Sequence, residues 1–436
     1  MIHKPTLRPS FFLRAGISLV LVCTIAISVH ANMITVTNTN DGGLGSLRHA
    51  LTIANDGDTI NFAVTGTITL TGGGLPINKN ITISGPDADQ LSIDGNQGDF
   101  VLGVDPDETA TISGLTIRNG QAGIGNFGTL TVSNCVISGN SSGGLSNLAN
   151  GQTSTSATLT IANSIISDNS GPGIFNAAFM ASATVTILNS ALTRNSGGIH
   201  TSGFEGGTKI TVNNSTISHN SADLGGGIYS YWSPVTIVNS TLSGNSAETS
   251  GGGIYAGGPL VEISNSTLSG NSAGTSGGAI FNNTSGYVRI DNSTLSGNSA
   301  ASGGGIYTVS GIDVSNTILN AGVSGENIFN NGGTVTSYGY NLSSDDGGGF
   351  LTGPGDQVNT DPLLSPLQHN GGPTLTHLPS RGSPAIDAGD PNFMPPPFSD
   401  QRGPCFRRVF GPRIDVGSVE TQPRRRCATP APRPTP

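Results

Sequence analysis

A single phrase of about 25 residues recurs through the middle of this 436-residue chain. Residues 235–255 read VTIVNSTLSGNSAETSGGGIY, and ITVNNSTISHNSADLGGGIY (210–229) and VEISNSTLSGNSAGTSGGAIF (261–281) are close copies. Copies begin at residues 130, 159, 185, 210, 235, 261, 288 and 312, with successive spacings of 29, 26, 25, 25, 26, 27 and 24. A period held that closely requires stacked, near-identical units rather than one closed core. One unit alone carries too few apolar side chains to fold, whereas a stack shares a continuous narrow core.

Inside a unit the apolar residues alternate. Val235 and Ile237 fall on one face of an extended segment and Thr236 and Val238 on the other, while Leu242 and Ile254 take the inward role further on. The pattern predicts three short strands per unit, parted by Asn and Gly corners; the segments are too short and too β-branched for helices. Two asparagine slots recur. Asn134, Asn163, Asn189, Asn214, Asn239, Asn265, Asn292 and Asn316 fill the first, and Asn140, Asn169, Asn195, Asn220, Asn245, Asn271 and Asn298 the second. Asparagine tolerates a left-handed corner. Stacked at the roughly 4.8 Å spacing of paired strands, its amides can also hydrogen-bond up the column. Reading N-S-T as a glycosylation acceptor gives no reason for it to recur with the strand period.

These residues resemble right-handed parallel β-helix repeat proteins, and the G-G-[GA]-[IA]-[YF] corner, as in Gly277–Phe281, resembles the repeats of bacterial polymorphic outer-membrane proteins. The resemblance covers roughly residues 65–330. It implies an all-β, pectate-lyase-like solenoid, a scaffold that hosts many unrelated activities.

Residues 1–31 read as an export signal: His3, Lys4, Arg8 and Arg14, an apolar run from Ala15 to Val29, then Val29-His30-Ala31 before a mature start near Asn32. No second membrane-spanning run follows. The signal takes three of the 18 Lys/Arg and none of the 27 Asp/Glu with it, which leaves an acidic chain. Its body is rich in Ser, Thr and Asn and argues against a nucleic-acid partner. Residues 32–64 read as an N-terminal cap with a short helix at Ser46–Ala54, where Leu47, Ala50, Leu51 and Ala54 keep helical spacing. The pattern from Gly45 to Phe62 resembles the cap that opens many exported bacterial β-helix proteins.

After Ile318 the period dissolves. Residues 338–420 carry N-T-D-P-L-L (359–364), N-G-G-P-T-L-T-H-L-P (370–379), S-P-A-I-D-A-G (383–389), D-Q-R-G-P (400–404) and I-D-V-G-S-V-E (414–420). These strings resemble the choice-of-anchor Q domain of bacterial surface proteins. Residues 421–436 follow as a disordered tail without an apolar span or sortase motif. Once the signal leaves, Cys135, Cys405 and Cys427 remain. Cys135 reads as a buried strand residue, and Cys405 and Cys427 as a candidate disulfide, which export permits.

The solenoid resemblance gives polysaccharide lyases and glycoside hydrolases as one expectation. Hydrolysis needs two carboxyls about 5–10 Å apart. Asp168, Glu205, Asp223, Glu248, Glu262, Asp291 and Asp313 do not place a pair in one slot of one coil; Arg289 aligns with Glu262 as a surface ion pair. Asn359-Thr360-Asp361 matches a polygalacturonase motif by letters but lies outside the solenoid. Asp387, Asp390, Asp400, Arg402, Arg413 and Asp415 read as knitting the C-terminal module, with calcium ligation by Asp387 and Asp390 as the alternative. No catalytic residue, metal site or cofactor is expected. Tyr229, Tyr255, Phe281 and Tyr307 hold one repeat position and form a column, with Tyr231 and Trp232 nearby. Facing outward, the column is a candidate carbohydrate strip; facing inward, it is an aromatic core stack, and the inward arrangement is the expectation. The sequence thus points to a monomeric, exported or outer-membrane surface protein that binds a polysaccharide or cell-surface component, with a lyase or hydrolase as the alternative.

Overall fold

The computed structural model describes residues 31–204 and 207–423. Each repeat contributes one rung to three parallel sheets, here called A, B and C, of 13, 12 and 11 strands. In the coil that starts at Gly207, sheet A takes Gly207–Asn213, sheet B Thr216–Ser218 and sheet C Ile228–Tyr231. Neighbouring coils pair in strict register, as in Ile210 with Val235 and Val235 with Val261. Val235, Ile237, Leu242 and Ile254 all point inward and are buried, as their alternation predicts. The stack extends beyond the clear repeats at both ends. Met33–Val36 and Thr59–Phe62 form the first rungs of sheet A, and Thr334–Gly339 the last.

The two asparagine slots divide the work. The first turns the chain from sheet A to sheet B: every one of its eight members has φ between 45° and 52°, the left-handed region asparagine tolerates. The second is buried and forms a ladder. From Asn140 to Asn298 each side-chain amide donates to the next Oδ1 at 2.8–3.0 Å. Each Oδ1 also accepts the backbone N–H of the Asn one coil earlier, as Asn195 Oδ1 does from Asn169. The serine after each corner Asn builds a parallel ladder. Ser164, Ser190, Ser215, Ser240, Ser266 and Ser293 are buried, and each N–H donates to the next hydroxyl. That ladder runs on through Thr317 and Asn341 and ends on Asp356. The N-S-T triplets are therefore structural, with their serines buried and engaged.

Both ends of the core are covered. The helix Leu47–Ile53, capped by the Ser46 hydroxyl, lays Leu47, Ala50 and Leu51 over the first coils. Leu351 and Phe350 close the other end. The chain beyond residue 343 folds back along the outer face of sheet B and the Asn corner. Gln401 bonds Thr241 and Thr267, His377 bonds Ser269, and Ser418 bonds Thr294. Ser399 and Arg408 reach the corner residues Asn265 and Asn292. The motif residues of the C-terminal segment are thus the ones that clamp it to the solenoid.

Beneath that clamp lie Asp400, Asp415, Glu420, Arg402 and Arg408, all buried. Three carboxyls face two guanidinium groups, and Arg402 is committed to Asp400 at 2.6 Å. Burial, then the neighbouring Asp415, pushes Glu420 up to about 8. Asp387 donates its N–H to Asp415 and Asp390 donates to Asn316, so the two residues knit the segment. Among the described residues no group of three or more His, Cys, Asp or Glu is placed to hold a metal.

Two outcomes follow. Asn195→Ala leaves the Asn169 N–H and the Ile166 carbonyl unpaired inside the wall and should cost about 2 kcal/mol or more. Asn189→Ala, at the exposed corner of the same coil, should cost only about 1 kcal/mol; paired denaturant midpoints check the order. Glu420 stays protonated in the folded chain to about pH 8, whereas the unfolded carboxyl ionises near 4.5. The folded form holds the extra proton between those values, so this contribution is full below about 4.5 and is lost as pH rises through about 8. Wild type should therefore lose melting temperature relative to Glu420→Gln across that interval.

Candidate functional site

Sheet C carries Tyr229, Tyr255, Phe281 and Tyr307. Each follows a fully buried isoleucine (Ile228, Ile254, Ile280, Ile306), so alternation places the ring on the outer face. The inward core stack expected from sequence does not form, because the isoleucine one position earlier fills the inward place in every coil. The column is also longer than those four. Phe175 and His200 precede it and Phe329 follows, in direct strand register. Neighbouring centroids lie 4.6–5.3 Å apart with interplanar angles of 14–41°. The rings thus lie face against face along the solenoid axis and show solvent their edges. Asn283 and Asn331 donate to the Tyr255 and Tyr307 hydroxyls. A sugar stacks on an aromatic face, and here the faces are spent on one another, so the column reads as a stabilising ladder.

Free ring surface lies beside it. The strands Ile174–Phe179 (IFNAAF) and Ile199–Phe204 (IHTSGF) are longer than the sheet C strands of later coils. Their outward positions run aromatic, small, aromatic: Phe175-Ala177-Phe179 and His200-Ser202-Phe204. Ala177 and Ser202, with Leu148 in register, floor an open trough of about 590 Å³. Phe179 and Phe204 stand on one side, stacked on each other at 5.5 Å with planes 6° apart; each has only this one ring neighbour among the described residues, so they stay 48% and 59% exposed, unlike the inner rings of the column, which are stacked on both faces. Phe127 lies at one end and Tyr231 at the other. Phe204 is 59% exposed and Trp232 52%. Trp232 takes a left-handed backbone (φ 56°) and meets the Tyr231 ring at 78°. The long arms are held together by their own small core of Ala149, Ala157, Ala178, Ala181 and Ala183.

The described residues that line the trough include no Asp, Glu, Lys or Arg. His200 beside it is held below its usual range by burial, which favours the neutral ring. Phe179 and Phe204 escaped the sequence reading because it followed the glycine corners and not the far ends of the strands; a period-two reading of IFNAAF and IHTSGF finds them. A second buried column, Asn126, Asn147 and Asn176, also went unnoticed; it stitches the inner side of these strands.

The carboxylates lie elsewhere. Glu262, Arg289 and Asp313 align on the outer face of sheet A, with Arg289 at 3.8 Å from Glu262 and 3.6 Å from Asp313. Asp291 sits one step along the same face, bonded to Ser315, its carboxyl held above its usual range by burial. Asp168 pairs with Arg194 at 2.7 Å in an exposed bridge; Glu205 lies outside the described residues. Asp361 of the N-T-D string only closes a turn on Leu363. Cys135 is buried and its thiol is pushed up to about 11, which leaves it unreactive. Cys405 is disulfide-bonded; Cys427, its expected partner, lies outside the described residues, as do residues 1–30 of the expected signal and 424–436 of the expected tail. No helix among the described residues is long and apolar enough to cross a membrane.

With this geometry in hand, residues 50–242 match the model of the right handed beta helix region family. Pectate lyase Pel9A superposes with a TM-score of 0.50 at 15% identity, covering 91% of this chain and 98% of that one. The PL6 family alginate lyase AlyGC gives 0.45 at 14% identity, over 79% and 55% of the two chains. The catalytic unit of the GH87 α-1,3-glucanase from Streptomyces thermodiastaticus gives 0.47 at 16%, over 74% and 65%. No curated protein matches the chain by sequence. The chain folds as a right-handed parallel β-solenoid of about 12 turns. Likeness at such identity speaks to fold and not to chemistry.

Proposed function

We propose that this chain is an exported surface protein that acts as a monomer, without catalysis, and binds carbohydrate through the trough on sheet C. One observation carries the reading: the trough offers exposed aromatic rings over a small-residue floor, and its described lining residues include no carboxyl, amine or guanidinium group. Aromatic surface with a few polar groups holds a ligand, whereas cleaving a glycosidic bond needs positioned carboxyls. The disulfide at Cys405 supports an oxidising compartment, in line with the signal-like residues 1–31. The resemblance of the clamped C-terminal segment to choice-of-anchor Q modules supports a place at the bacterial surface.

A catalytic reading has one locus, the Glu262–Arg289–Asp313 row with Asp291 beside it. Arg289 already engages both Glu262 and Asp313, which occupies the carboxylates a hydrolase would need free.

The purified protein, incubated with a panel of acidic and neutral polysaccharides, should be retained on at least one of them and release no reducing or unsaturated ends. Product above the protein-free control, abolished in Asp291→Asn, would replace binding with catalysis.

A further inference from the structure

We infer that the ligand of the trough is an uncharged glycan, engaged over a short stretch, and not a polyuronate; the inference rests on the carbohydrate-binding reading above. From Gly143 to Asn330 the strands of sheet C read GGLSNLA, IFNAAF, IHTSGF, IYSY, IYAG, IFN, IYT and IFN. None contains a lysine, arginine, aspartate or glutamate. A polyuronate brings a carboxylate on every sugar, and seating it on this wall would strip hydration from the charge with nothing to replace it. Anion recognition uses arginine or lysine, or a cation held by carboxylates, and the described residues that line the trough supply neither.

The nearest charges point the same way. Phe127, at one end, stacks on the turn that holds Asp105, Asp107 and Glu108, since Asn126 pairs with Val104 and the Phe127 N–H bonds the Val104 carbonyl. That flank repels an anion and leaves a neutral sugar untouched. A pyranose has a C–H face that suits the Phe204 and Tyr231 rings and a hydroxyl rim that suits Ser202 and Asn150.

The length of the site follows from the rings. Free aromatic surface runs from the coil of Phe127 to that of Tyr231, four steps of about 4.8 Å, or roughly 19 Å. Past Tyr229 the stacked column shows edges only, so it adds no platform. A short oligosaccharide fills the trough, and a longer chain gains little.

The test titrates the full secreted chain with neutral oligosaccharides cut from xylan, mannan and β-glucan, and with polygalacturonate and alginate fragments, each at low and high salt. Binding of a neutral probe, insensitive to salt and calcium, is expected. It should weaken roughly tenfold in Phe204→Ala and in Tyr231→Ala and stay unchanged in Tyr307→Ala. Phe204 and Tyr231 are exposed, so these truncations leave the fold intact. Polyuronate binding that is lost in Phe204→Ala would overturn the neutral-glycan inference while keeping the trough as the site. Binding untouched by both truncations, or no binding to any probe, would overturn the trough reading itself.

Discussion

Everything in this molecule depends on hydrogen bonds that run along the solenoid, from side chain to side chain, in its wall. An amide buried without a partner costs about 1–3 kcal/mol, and the Asn140–Asn298 column is buried throughout. Each amide is satisfied only if the coil above presents another at the same height. The ladder therefore fixes register across the stack: a one-residue slip in any coil would orphan groups on both sides. The serine ladder does the same at the next corner. With register locked, residues at one repeat position must form columns. The aromatic column and the trough beside it are consequences of that geometry.

The period and the alternation within each unit were enough to read the coils, the inward Val/Ile/Leu positions and the capping helix. They did not say which Asn slot would turn the chain and which would bond along it, because asparagine suits both. Period two assigns residues to opposite faces but does not name the face. Tyr255 goes outward because Ile254 beside it goes in, and the recurring isoleucine in GGGIY and GGAIF is the clue that decides it. The return of the C-terminal segment along sheet B was not legible from local pattern. Gln401 and Thr241 meet across 160 residues, and a short motif carries no record of a partner so distant. That meeting also explains why the outward Thr241, Thr267 and Thr294 are buried although they lie on the outside of a sheet.

The same scaffold logic separates binding from catalysis. Sheet A carries one row of charges in which Arg289 engages both Glu262 and Asp313. Sheet C gathers the rings, locks most of them face to face, and leaves free surface where Ile174–Phe179 and Ile199–Phe204 outreach the strands of the coils that follow. Function in a solenoid lies where the repeat departs from itself, and IFNAAF and IHTSGF are that departure.

The chain holds a single tryptophan, Trp232, packed against Tyr231 at the end of the trough. Its fluorescence therefore reports on the proposed site and on no other. Titration with an oligosaccharide that the protein retains should change Trp232 emission saturably, at the concentration where retention appears, and Phe204→Ala should move both together. Retention with unchanged emission would place the ligand elsewhere and contradict the account.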